Sequence, residues 1–156
     1  MTEKKNVLFV CTGNSCRSIM AEAYLKKRAG EEGLAVDVMS AGTLGVNGLK
    51  PAGPAIKIIK AEGLDPEGLE SKALTKDIID WADAILVMEP LHKGVVVAIA
   101  PEASAKVFYL GGFNKESNDI VIPDPIGRTL AFYKVTFNLL KKSIEEFIQW
   151  LKEDPK

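Results

Sequence analysis

The stretch Val7-Leu8-Phe9-Val10-Cys11-Thr12-Gly13-Asn14-Ser15-Cys16-Arg17-Ser18 decides the fold. Residues 7–10 form an apolar, β-favouring run, and its continuity suits a strand covered on both faces, as in a parallel sheet. Beyond the turn, Ile19, Met20, Ala23, Tyr24 and Lys27 fall at three-four spacing, which predicts a helix over 16–29. Strand, tight turn and helix in succession aim backbone N–H groups and the positive helix end at one point. That is an anion site.

The pattern repeats outward from this unit. Further apolar strand-like runs occur at 35–39, 84–88 and 106–109. Helical patterns lie between them. One spans 54–62, with Ile58 and Ile59 apolar and Gly63 as its stop. A short one at 75–80 has Thr75 as N-cap and Asp77 in its first turn. Residues 91–99 suit helix or strand by local pattern; two strands need a crossover between them, so they are read as helix. Leu130, Tyr133, Phe137, Leu140, Ile144, Phe147, Ile148 and Leu151 make the apolar stripe of a last, long helix. Strands alternating with helices give an α/β fold with a parallel sheet and right-handed crossovers. Ligands in such sheets bind beyond the carboxyl ends of the strands, and Val10-Cys11 is the first such end.

A length of 156 residues without repeats or linkers implies a single domain, read over 1–156. The net charge of -1, with no long basic run, argues against a nucleic-acid binder. No stretch is long and apolar enough to span a bilayer, and residues 1–6 lack the apolar core of a signal peptide. The cytoplasm is the expected compartment, with no membrane partner. Cys11 and Cys16 are the two cysteines, too few and too close together for a disulfide framework.

Within the turn, Gly13 permits the backbone angles a cradle needs, and Asn14 tolerates positive φ. Cys11 sits at the rim of the positive field, which favours the thiolate, the nucleophilic form of cysteine. Arg17 offers a planar fork of donors to two phosphoryl oxygens. Ser18 is placed to donate to the sulfur. The bland alternatives are an inert buried thiol at Cys11 and a surface helix residue at Arg17. Cys16 either packs structurally or captures an oxidised Cys11 as a disulfide.

A phosphoryl acceptor also needs a general acid for the leaving group. Asp124, in Val121-Ile122-Pro123-Asp124-Pro125-Ile126-Gly127, is the candidate, its loop stiffened by prolines on both sides. The competing reading is that Asp124 caps the last helix, and Asp119 is the next loop acid.

These residues closely resemble the low-molecular-weight protein tyrosine phosphatase family. The resemblance covers nearly the whole chain: the loop at 10–18, Ser40-Ala41-Gly42-Thr43 after the second strand, and Asp124-Pro125 before the last helix. It implies a four-stranded parallel sheet flanked by helices, with the phosphate-binding loop after the first strand. It implies Cys11 as the nucleophile of a phosphocysteine intermediate, Arg17 as the phosphate ligand, and Asp124 as acid and then base. Thr12, Gly13, Asn14, Ser15, Cys16 and Ser18 complete the substrate-binding loop, and Asn14, Ser18 and Ser40 hold its shape. Phosphorylated proteins are the implied substrates and inorganic phosphate the product. The family uses no metal or other cofactor, in keeping with one histidine, His92, and no metal-spaced ligands.

Three positions depart from the family. Ile19 stands where Pro often follows the Cys-Arg-Ser triplet. Ile126 and Gly127 stand where phosphotyrosine enzymes usually carry aromatic residues. Ser15 replaces a bulky aliphatic and resembles the small hydroxyl residue of two relatives, the protein arginine phosphatases and the thioredoxin-linked arsenate reductases. An arsenate reductase relay needs further cysteines, and 87–92 contains none. The expectation is therefore a protein-tyrosine phosphatase. Phosphoarginine hydrolysis is the alternative, followed by arsenate reduction and a non-catalytic phosphate-binding module.

Overall fold

A computed structural model describes residues 4–153; positions 1–3 and 154–156, at the ends of the domain read over 1–156, lie outside the described residues. The chain runs β1 (Lys5–Cys11), α1 (Arg17–Glu32), β2 (Val36–Gly42), α2 (Gly53–Ala61), α3 (Lys76–Trp81), β3 (Ala84–Val87), α4 (Pro90–Ile99), β4 (Val107–Tyr109) and α5 (Leu130–Glu153). Short 3-10 turns occupy Pro101–Lys106 and Leu110–Phe113. The four strands pair only in parallel, in the order β2-β1-β3-β4. This is the expected α/β fold, including the helix across 91–99.

Both faces of β1 are covered, which explains its unbroken apolar run. Val7, Phe9 and Cys11 turn towards Ile19 and Met20 of α1 and Phe137 and Ile144 of α5. Leu8 and Val10 turn the other way, towards Ile79 of α3 and Val96 of α4. Thr75 caps α3 as its sequence predicts, its hydroxyl accepting the Ile78 N–H. Two boundaries move for tertiary reasons. β2 continues to Gly42, past the expected end at 39, because Ser40, Ala41 and Gly42 register with Phe9, Val10 and Cys11. α1 starts at Arg17, not 16, because Cys16 at φ -132° and ψ -86° still belongs to the turn.

The strand order positions the site. From β1 the chain crosses to β2 on one side, then returns past β1 to β3 on the other. The order reverses at β1, and the resulting crevice opens at its carboxyl end, where the turn 12–16 begins.

Candidate active site

The turn owes its shape to one amide side chain. Asn14 adopts φ 54°, the left-handed region that asparagine tolerates better than most residues. Its Nδ2 donates to Ser18 Oγ at 2.7 Å and to Ser40 Oγ at 2.9 Å, while its Oδ1 accepts the Lys72 N–H at 2.8 Å. Ser40 in turn donates to the buried carboxylate of Glu22 at 2.5 Å. The directions matter: Ser18 Oγ already accepts from Asn14, so its own hydrogen is available to Cys11 Sγ, 2.8 Å away. β2 closes against the loop at Gly42, where any Cβ would stand 2.8 Å from Thr12 O and 2.9 Å from Asn14 Cβ. The Thr43 and Leu44 amides then donate to the carbonyls of Cys11 and Thr12. The amides of residues 13–16 find no acceptor among the described residues.

Arg17 is 1% exposed, so it is not a surface helix residue. Nη1 donates to Glu89 Oε2 and to the Ile122 carbonyl, each at 2.8 Å. Nη2 lies 3.6 Å from Asp124 Oδ2. The other oxygen of Asp124 accepts the Ile126 N–H at 3.0 Å, an Asx turn that holds the carboxylate beside the guanidinium. Asp124 does not cap α5. That place belongs to Thr129, whose hydroxyl accepts the Phe132 N–H at 3.2 Å. Asp119 folds onto its own loop, accepting the Val121 N–H.

Two further side chains reach the loop. His92, fully buried at the start of α4, accepts the Met88 N–H on Nδ1 at 3.3 Å, and its Nε2 lies 3.0 Å from Thr12 Oγ1. Burial first, and then the charge of Arg17, hold its pKa down at about 4; Glu89 and Asp124 pull the other way. Tyr133 of α5 sits with its hydroxyl 3.4 Å from Cys16 Sγ. Burial raises the Cys16 pKa, so this thiol stays protonated near neutrality. Both cysteines are buried and free.

Above the loop lies a cleft of about 280 Å³. Cys11, Thr12, Gly13, Ser15, Cys16, Arg17 and Asp124 line it. Asn14 and Ser18, read from sequence as substrate-binding, lie beneath with Ser40, their side chains committed to the support. The outer wall is aliphatic: Leu44, Val46, Leu49 and Ile126, all exposed, with Lys50 beside them. Sequence reasoning missed Glu89, the role of His92 and this wall. The polar pair Glu89 and His92 follows β3, the strand beside β1, and the switch-point rule applied to that second strand end would have pointed to it.

Comparisons with known proteins agree with this geometry. The family model described as low molecular weight phosphotyrosine protein phosphatase matches residues 6–156. A protein-arginine-phosphatase of Bacillus subtilis is 34% identical over 149 residues, covering 96% of this chain and 98% of its own. The low molecular weight protein-tyrosine-phosphatase Etp of Escherichia coli is 32% identical over 146 residues, 94% of each chain. A low molecular weight phosphotyrosine phosphatase from Vibrio cholerae superposes with a TM-score of 0.90 at 27% identity, covering 97% of this chain and 99% of its own.

Proposed function

The chain belongs to the low molecular weight phosphotyrosine protein phosphatase family, a family of hydrolases, and from that premise we propose that it removes phosphate from phosphotyrosine in proteins. One observation carries the reading. A thiol, a buried arginine and a loop carboxylate converge at the carboxyl end of the central strand, on one cleft.

The reaction runs in two steps. The Cys11 thiolate attacks phosphorus, forming an S–P bond as the ester P–O bond breaks and its electron pair leaves with the phenolic oxygen. Asp124 gives that oxygen its proton. Arg17, held from behind by Glu89 and the Ile122 carbonyl, keeps Nε and Nη2 for two phosphoryl oxygens. The open amides of 13–16 meet the remaining charge. In the second step Asp124 takes a proton from water, whose oxygen attacks phosphorus. Inorganic phosphate leaves, and the thiolate returns with a hydrogen bond from Ser18 Oγ. The Leu44, Val46, Leu49 and Ile126 wall gives the phenyl ring an apolar bed, replacing the aromatic residues of other members.

Phosphoarginine is the second reading. Ser15 lines the cleft where a bulky aliphatic would crowd a guanidinium, and a 34% identical relative is named protein-arginine-phosphatase. The aliphatic wall and Lys50 favour a neutral ring over a cationic leaving group. We propose that the protein acts in the cytoplasm on phosphorylated proteins. No helix of the described residues is long and apolar enough to cross a membrane. Hydrolysis of one peptide carrying phosphotyrosine or phosphoarginine, assayed side by side, tests the assignment. A higher kcat/KM for phosphotyrosine supports it, and the reverse order transfers the assignment to phosphoarginine.

A further inference from the structure

His92 is the chain's single histidine, and no step above employs it. It is fully buried, yet both ring nitrogens are engaged. The Met88 amide has only a proton to offer, so Nδ1 is the lone-pair nitrogen. A neutral imidazole carries one N–H, which therefore sits on Nε2 and points at Thr12 Oγ1, 3.0 Å away. The doubly protonated ring would set one N–H against the Met88 N–H and a second cation beside Arg17. The depressed pKa agrees with the neutral form. Thr12 Oγ1 thus accepts from His92, and no other side-chain partner takes its hydrogen among the described residues. Thr12 follows the proposed nucleophile directly and lines the cleft.

We infer that His92 is a positioning residue: its Nε2–H fixes the Thr12 hydroxyl so that this hydroxyl donates its own hydrogen into the anion cradle. The cradle then has one side-chain donor besides Arg17 and the open amides. This inference rests on the proposed phosphatase reading, because it assigns Thr12 a phosphoryl oxygen as acceptor.

A double-mutant cycle on inhibition by inorganic phosphate tests it. Removing a hydrogen bond to a charged group costs about tenfold or more in affinity. Thr12→Val should weaken phosphate binding by about that factor, and His92→Phe should do nearly the same. In the Thr12→Val background, His92→Phe should cost almost nothing further. Equal losses from His92→Phe in both backgrounds would mean the ring only supports the fold, and would overturn the inference. Nitrogen-15 NMR of histidine-labelled protein gives a second reading, since only one imidazole contributes. A protonated Nε2 and bare Nδ1 in the free protein are expected; the opposite tautomer overturns the inference. Either contrary result with phosphotyrosine hydrolysis intact leaves the phosphatase assignment standing. Loss of that assignment shows instead as absent hydrolysis by the unsubstituted protein.

Discussion

Asp124 Oδ2 stands 3.6 Å from Nη2 of Arg17, while its partner oxygen is tied to the Ile126 amide. The carboxylate is thus aimed at the cleft by a turn of its own, and capping of α5 is left to Thr129. Two roles that local sequence leaves entangled fall on separate residues, so mutation can separate them.

Asp124→Asn should slow single-turnover phosphorylation of Cys11 by phosphotyrosine by about 10²–10⁴-fold. The loss should be much smaller for an aryl phosphate whose phenol is more acidic. Thr129→Ala should do the reverse, costing about 0.5–2 kcal/mol in urea unfolding with little change in that step. Equal rate losses for both leaving groups in Asp124→Asn would deny it the acid role.

Cys11→Ser should remain folded, with turnover lower by several orders of magnitude, because serine at its ordinary pKa is a weak nucleophile. Cys16→Ser should keep most activity, since Cys16 is a protonated thiol against Tyr133. Matching losses from the two substitutions, with circular dichroism unchanged, would overturn this division of roles.

Gly42→Ala should act directly on the loop, which packs against Gly42. The added Cβ meets backbone and Asn14 at under 3 Å, so either the loop or β2 must shift. Stability should fall by roughly 1–3 kcal/mol and inhibition by phosphate should weaken in parallel. Unchanged phosphate affinity in a destabilised variant would show that the shift is taken up by β2 alone.

His92 also makes stability depend on pH. Its pKa is about 4 in the folded chain, against about 6.5 when unfolded. Between these values the unfolded chain binds the proton and the folded chain does not. The contribution of the neutral ring is therefore whole above pH 6.5 and is lost as pH falls towards 4, by about 3 kcal/mol. Urea unfolding across this window should show a slope that largely disappears in His92→Phe. A slope retained in that variant would assign it to carboxylates instead.

The sequence declares most of what is local. Residues 7–10 suit a strand buried on both faces and the three-four pattern after Arg17 suits a helix, so the anion cradle is legible in the sequence. Asp124 emerged as a candidate because its flanking prolines advertise a stiff loop. What stayed hidden depends on strand order. Glu89 and His92 meet Arg17 and Thr12 because β3 lies against β1, and no residue count along the chain states that. Leu44, Val46 and Leu49 read as unremarkable loop residues until β2 carries them over the cleft. The length of β2 was underestimated for the same reason: Ser40-Ala41-Gly42 has weak strand preference and extends only because β1 is beside it.

The partners of Asn14 lie at residues 18, 40 and 72, and Arg17 leans on residues 89 and 122. Loop closure over these separations must be complete before the cradle has its shape. A refolding chain should therefore collapse and form α1 well before it recovers the capacity to hold phosphate. Ligand binding becomes a clock for the last stage of assembly, and partly unfolded chains should lack phosphoryl transfer although their cysteine is present throughout.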